Sequence, residues 1–264
     1  MTIAHITITA RGRRRLTRGE GEMRVALRAK ARACRAGLLL FSVVDDHSHT
    51  VARCNEPHYL AREVRAALRR VLPNVELEPA HVKVVEDRDH LERLVSYMVR
   101  QPAKHDLPGH PALWEGSCFG DLAGVRLLPG YEVRSLLQEL PRLRLRDLLE
   151  AVGLSPEPVG LATLDDLCQA GVARIVQLAL GAHALPSLAG RSAGIPDARA
   201  LVVQAASRAE FRPSAVAPFL GISPRAARRL AGRALDPRAL PALLRRLSLE
   251  LRCGLPGAGL AVRP

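Results

Sequence analysis

The sequence predicts an α+β fold: an N-terminal ferredoxin-like antiparallel sheet with helices, followed by an all-α C-terminal region with a helix-turn-helix. Three observations carry this. Residues 3–10 alternate isoleucine with threonine and histidine, the period-two pattern of a half-buried strand. The next segments read as helix, hairpin, helix, strand and helix, an order that a small sheet with helices on one face satisfies. From about Tyr131 the chain turns to Leu, Ala and Arg broken by Pro and Gly, with no strand pattern. The expected units are residues 1–128, residues 129–253 and a flexible tail over 254–264.

Each element has its own reason. Arg11 to Gly21 is polar and glycine-containing, hence a loop. Glu22 to Arg35 places Met23, Leu27, Ala31 and Cys34 on one helical face, and Gly37 ends it. Leu38 to Val44 is a short apolar strand. Asp45 and Asp46 turn the chain, and His47 to Arg53 pairs back as a hairpin. Tyr59 to Leu72 is a helix ended by Pro73, and Val82 to Val85 a short strand. Asp89 to Gln101 is a helix whose buried stripe is Leu91, Leu94, Val95 and Met98, with Pro102 as its stop.

The 264 residues include 39 Lys and Arg against 26 Asp and Glu, a formal charge of +13, with 48% hydrophobic content. The core is therefore adequate, and the charge points to phosphate-bearing partners. Aromatic residues are only 3% of the chain, which excludes an extended base-stacking platform. Backbone contacts would carry nucleic-acid affinity and make it salt-dependent. The five cysteines are widely spaced, with no Cys-x-x-Cys pair, so neither a zinc ribbon nor a disulfide framework is supported. No apolar run approaches bilayer length and no signal peptide is legible, so the expectation is a cytoplasmic, nucleoid-associated protein without a membrane partner.

Two small motifs carry the chemistry. On a strand, His47 and His49 point to the same face and present two imidazoles. On the third helix, Tyr97 and Gln101 are four residues apart and share a flank. If that helix packs beside the hairpin, His47, His49 and Gln101 can hold a divalent metal, Mg²⁺ or Mn²⁺, with Tyr97 beside it. A neutral ligand set leaves the full dication charge for a phosphate. Attack by the phenol would then leave a 5′-phosphotyrosine and a free 3′-hydroxyl. Taken singly, these residues read as surface histidines, a core-edge tyrosine and a solvated glutamine; the chemical reading rests on their combination.

In this combination the sequence resembles the tyrosine-HUH single-strand DNA transposases, especially the REP-associated branch. The matching segments run from about residue 3 to 125. Ile6-Thr7-Ile8-Thr9-Ala10-Arg11-Gly12 resembles the opening strand and turn, and Val43 to His49 the two-histidine motif. Val82 to His90 resembles the segment before the catalytic helix, and Leu94 to Pro102 the helix itself. Trp114, Ser117 and Gly124 resemble the segment that follows. The resemblance implies Tyr97 as nucleophile and Gln101 as amide ligand. Three departures stand out. Ser48 occupies a position that is usually bulky and apolar, and weakens packing under the histidines. Arg13 stands where the family has Asn. The basic, aromatic stretch before Val82 is reduced to Asn74–Ala80.

Residues 213–233 read as the helix-turn-helix. Val216, Ala217 and Leu220 pack its first helix, Gly221 permits the turn, Ile222 plugs the core, Ser223 caps, and Pro224 opens the second helix. Arg225, Arg228, Arg229 and Arg233 would line the exposed side for phosphates or guanines, while Pro218 would kink the first helix. Arg11 to Arg35 holds ten Lys and Arg against Glu20 and Glu22. Arg11, Gly12, Arg13 and Arg14 are the candidates for gripping the DNA backbone there.

The expected activity is metal-dependent nicking and strand transfer on single-stranded or hairpin DNA, by a monomer or homodimer, with duplex contacts through the helix-turn-helix. The competing reading is a catalytically silent, domesticated DNA-binding protein. A replication-initiating or relaxase-like nickase would share the chemistry.

Overall fold

The computed structural model describes residues 1–254; the expected tail lies, from residue 255 on, outside the described residues. Strands β1 (Thr2–Thr9), β2 (Leu38–Val43), β3 (His47–Cys54) and β4 (His81–Val84) form an antiparallel sheet in the order β2-β3-β1-β4. β1 and β2 run the same way with β3 between them, the split β-α-β arrangement expected of a ferredoxin-like sheet. Helices α1 (Glu20–Cys34), α2 (Pro57–Val71) and α3 (Arg88–Lys104) accompany it.

Register fixes the two faces. β1 buries Ala4, Ile6 and Ile8 and turns His5, Thr7 and Thr9 the other way. Thr7 lies opposite His49 and Thr9 opposite His47, while Ile8 lies opposite Ser48. Both histidines thus sit on an interior strand, with β2 on one side and β1 on the other. Lys30 of α1 bonds to Ser48 and Tyr97 of α3 meets His49, side chains that a strand sends to opposite faces. The expectation of helices on a single face is therefore corrected, with α1 behind the histidines and α3 in front.

The expected stop of α3 at Pro102 is also corrected, since the helix continues to Lys104. A proline forfeits one backbone donor, a cost the end of a packed helix absorbs. His105 N still donates to Gln101 O at 3.1 Å.

Residues 114–118 cover the free edge of β2. Val43 N donates to Gly116 O at 2.9 Å, Cys118 N to Phe41 O at 3.1 Å, and Trp114 Nε1 to Val43 O at 2.7 Å. A Cβ at Gly116 would come 2.1 Å from Val43 O, so only glycine allows this approach. The covered edge is closed to further strand pairing.

The described residues divide into two compact units, residues 1–123 with 128–158, and residues 124–127 with 159–254. The boundary expected at 128/129 marks where strand patterning stops rather than where the first unit ends. α4 (Phe119–Leu122), α5 (Val133–Glu139) and α6 (Leu145–Ala151) belong with the sheet. Tyr131 Oη donates to Leu39 O at 2.8 Å, Arg53 pairs with Glu139, and Arg100 Nε donates to Ala151 O at 3.3 Å.

The second unit is helical: α7 (Leu164–Ala182), α8 (Ile195–Arg208), α9 (Pro213–Leu220), α10 (Pro224–Ala231) and α11 (Ala239–Arg252). Its core gathers Leu167, Ile175, Leu201, Val216, Leu220 and Leu243. α9 and α10 form the helix-turn-helix. Gly221 closes α9 at φ 60°, a left-handed conformation that glycine adopts without strain. Ser223 Oγ accepts from Ala226 N at 3.2 Å, and Ile222 packs on the core. α9 reaches Leu220 despite Pro218. Among the described residues, no helix is long and apolar enough to cross a membrane.

Candidate metal and nucleophile site

On the front face of the sheet, His47 Nε2 and His49 Nε2 lie 2.8 Å apart, with both residues buried. Two imidazole nitrogens this close either share one proton or together hold a cation. Asp46 Oδ1 accepts from His47 Nδ1 at 2.5 Å, which fixes the tautomer and leaves His47 Nε2 with its lone pair. Asp46 Oδ2 accepts from Arg13 Nη1 at 2.9 Å. Burial pushes the Asp46 carboxyl up, but these two hydrogen bonds outweigh it, so the group sits below the usual carboxylate range.

His49 is held from β1. Its Nδ1 lies 3.1 Å from Thr7 Oγ1 and 3.0 Å from His5 Nε2. A hydroxyl and an imidazole can each donate or accept. His49 can therefore switch its proton between ring nitrogens without losing a partner. Burial holds all three imidazoles neutral: His5 falls to about 4 and His49 to about 2, and His47 is lowered in part against the pull of Asp46. Neutral imidazole is the form that binds a metal.

Tyr97 projects from α3 so that its Oη lies 3.4 Å from His49 Nε2, at the edge of hydrogen-bonding distance. The residue is 36% exposed, so part of it is accessible to a substrate. Lys104 Nζ stands 5.3 Å from the ring centroid. One helical turn beyond Tyr97, Gln101 is 1% exposed, and neither Oε1 nor Nε2 of its amide has a hydrogen-bond partner. A buried amide with no partner costs about 1–3 kcal/mol, a debt that coordination of a cation removes. The donor chemistry of His47, His49 and Gln101 fits a divalent metal.

Sequence reasoning missed several groups. His5 and Thr7 were legible only as strand alternation; their role follows from the register against β3. His105, just past α3, lies in a Pro/Gly/His stretch that reads as loop. One ligand atom from each of Asp46, His47 and His105 falls within 4.8 Å of the others.

Beneath the histidines, Ser48 does not leave the expected packing defect. Lys30 Nζ, completely buried, donates to Ser48 Oγ at 2.6 Å and to His49 O at 2.6 Å. A lysine has replaced apolar packing with two hydrogen bonds.

The basic segment divides on folding. Lys30 and Arg24 are buried, Arg24 between Glu20 and Glu115 at 2.8 and 3.0 Å. Arg11 pairs with Glu76 on the surface, and Arg13 turns back onto Asp46 through a left-handed turn at Gly12 and Arg13. Arg13, expected to grip the DNA backbone, is thus exposed but engaged with Asp46. Arg11, Gly12, Arg14, Arg15 and Arg18 line a cleft of about 630 Å³ with Asn74 to Glu76 opposite. In the second unit, Arg225, Arg228 and Arg229 are exposed along α10, whereas Arg233 is paired with Asp197 at 2.8 Å.

No protein-family model matches the chain, and no curated protein matches it. A solved structure of a REP-associated tyrosine transposase bound to a REP hairpin is similar to it, at 19% identity over 46% of this chain and 78% of that one, with a TM-score of 0.38.

Proposed function

We propose that this chain is a metal-dependent DNA strand transferase of the transposase type. It nicks single-stranded or hairpin DNA through a 5′-phosphotyrosine at Tyr97. The observation that carries the reading is a tyrosine hydroxyl 3.4 Å from one of two convergent imidazole nitrogens, with an unpartnered buried amide one helical turn along α3. His47, His49 and Gln101 would hold Mg²⁺ or Mn²⁺. When bound, the ion neutralises charge on the non-bridging phosphate oxygens.

The chain's own residues do the rest. Asp46 and the His5/Thr7 pair keep the two rings aimed, and burial keeps them neutral. Tyr97 Oη forms a bond to phosphorus and gives up its proton to solvent. The P–O3′ bond breaks, and O3′ takes a proton from solvent to leave as the 3′-hydroxyl. One phosphoester replaces another, so the strand can be rejoined without an external energy source. The Arg14, Arg15 and Arg18 cleft supplies cationic contacts for the strand.

The test is covalent capture. An oligonucleotide nicked within its target should form an SDS-resistant adduct with the wild-type chain in Mn²⁺ or Mg²⁺, and none in chelator. Absence of adduct over a broad panel of hairpin and single-stranded substrates, with either ion, would leave the silent DNA-binding reading in its place.

Duplex contact is assigned to α10. Replacing Arg225, Arg228 and Arg229 together by alanine removes up to three phosphate contacts. The log affinity against log salt plot should flatten by about 2–3 in slope, since each contact contributes about 0.9. Gel-shift titrations at several salt concentrations measure this, and an unchanged slope would remove α10 from the interface.

A further inference from the structure

At the front of the sheet His47 stands between two other imidazoles, its ring centroid 4.6 Å from that of His49 and 4.9 Å from that of His105, and each of the three has a neighbour on its Nδ1. Asp46 Oδ1 takes the Nδ1 proton of His47. Thr7 and His5 flank Nδ1 of His49. Asp45 Oδ1 lies 3.3 Å from Nδ1 of His105, and that buried oxygen makes no hydrogen bond. Histidines that bind metals characteristically have one ring nitrogen held by a carboxylate, carbonyl or hydroxyl while the other faces the ion. Here two consecutive aspartates at the hairpin turn each approach one ring, and on all three rings Nε2 is the nitrogen opposite the flanked one.

The helix supports the same grouping. Tyr97, Gln101 and His105 are spaced i, i+4 and i+8, so they descend one side of α3 with a drift of about 40° per step. The continuation of α3 through Pro102 is what brings His105 into this row. His105 caps the helix C-terminus, where the backbone carbonyls favour positive charge. Its ring centroid is 4.9 Å from that of His47. Asp46 belongs to the same cluster, but both its oxygens are engaged, by His47 and Arg13. Its role is to orient, which leaves His105 as the additional donor.

We infer that His105 is a further metal ligand, making this a three-histidine centre that prefers Mn²⁺ or a later first-row ion to Mg²⁺. The inference rests on the two-histidine reading of the site proposed above. The physical reason is ligand type: Mg²⁺ favours oxygen donors and retains its water, whereas added imidazoles raise affinity for Mn²⁺, Co²⁺ and Zn²⁺.

The experiment is Mn²⁺ titration of the full chain, read by loss of the free-ion EPR signal, with Mg²⁺ measured by competition. His105→Ala should bind Mn²⁺ about 10–100-fold more weakly than wild type while its Mg²⁺ affinity changes less than about threefold. His105→Gln, which exchanges the nitrogen for an amide oxygen, should lie between them; it also serves if the alanine variant does not fold. Circular dichroism checks the fold of each. Mn²⁺ binding within twofold of wild type in both variants, with binding lost in His49→Ala, would overturn the His105 assignment and leave the two-histidine site standing. An equal loss for both ions would likewise overturn the nitrogen-ligand assignment. A wild-type chain that takes up no Mn²⁺, or a His49→Ala variant that binds it unchanged, would remove the two-histidine site and this inference together.

Discussion

Tyr97→Phe is expected to abolish covalent DNA attachment, with a fall of more than about 10⁴-fold in adduct formation, while leaving fold and metal binding intact. Removing a nucleophile eliminates the bond-forming atom, and no nearby group replaces it. His49 Nε2 is committed to the imidazole pair, and Lys104 stands over the ring rather than at the hydroxyl. The structural cost should be small. Tyr97 is 36% exposed, and its hydroxyl has a long 3.4 Å approach to His49. Phenylalanine keeps the ring against which Lys104 and His49 pack. A stability change within about 0.5 kcal/mol follows. The decisive measurement pairs the adduct assay with Mn²⁺ titration: an adduct at wild-type yield would mean that another residue attacks, and the proposed chemistry would fail.

The largest effect on stability is expected at Lys30. Lys30→Ala removes a fully buried stem and two hydrogen bonds, to Ser48 Oγ and His49 O, so a loss of about 3 kcal/mol is expected in urea unfolding. Lys30→Met keeps the stem volume and spares the desolvated amine, so it should cost less. The pH dependence identifies the amine. Burial lowers the Lys30 pKa to about 7 from its ordinary 10.5, partly offset by Cys34 and Cys118. Above about pH 7 the folded chain has released this proton while the unfolded chain keeps it until about pH 10.5. Stability therefore rises with pH across that window, and the rise is absent below it, where both states are protonated. The Cys34 thiol, pushed up to about 12 by burial, opposes this near its own unfolded range. Comparison of wild type with Lys30→Met between pH 7 and 8.5 isolates the lysine. Identical pH slopes in the two proteins would show that the buried amine does not titrate as described.

Lys30 also shows where reading a sequence stops. In α1 its neighbours Ala26, Ala29 and Ala31 mark a helix, and a lysine among ten basic residues reads as part of a solvated, DNA-facing surface. Its burial depends on Ser48, eighteen residues away and on another element. Neither residue alone reveals the pairing. Ser48 taken alone predicts a weakened strand, and only the pair explains why the histidines remain supported. The same holds for the arginines. Arg13 and Arg14 are indistinguishable in sequence, yet a left-handed turn returns Arg13 to Asp46 and leaves Arg14 on the cleft.

What the amino-acid order determined alone was local and periodic. Alternation in β1 and β3 placed His47 and His49 on one face, and the four-residue step of α3 placed Tyr97 and Gln101 on one flank. The Gly221–Pro224 punctuation drew the helix-turn-helix. These patterns survive folding because each is set by backbone geometry within a few residues. Tertiary structure alone decided which faces meet. It set α1 behind the sheet and α3 in front, brought His5 and Thr7 against His49 through strand register, and carried α3 past Pro102 to His105. It also drew residues 128–158 into the first unit. Such choices depend on how buried surface and buried polar groups are satisfied across distant segments, and that balance is struck only when the whole unit packs.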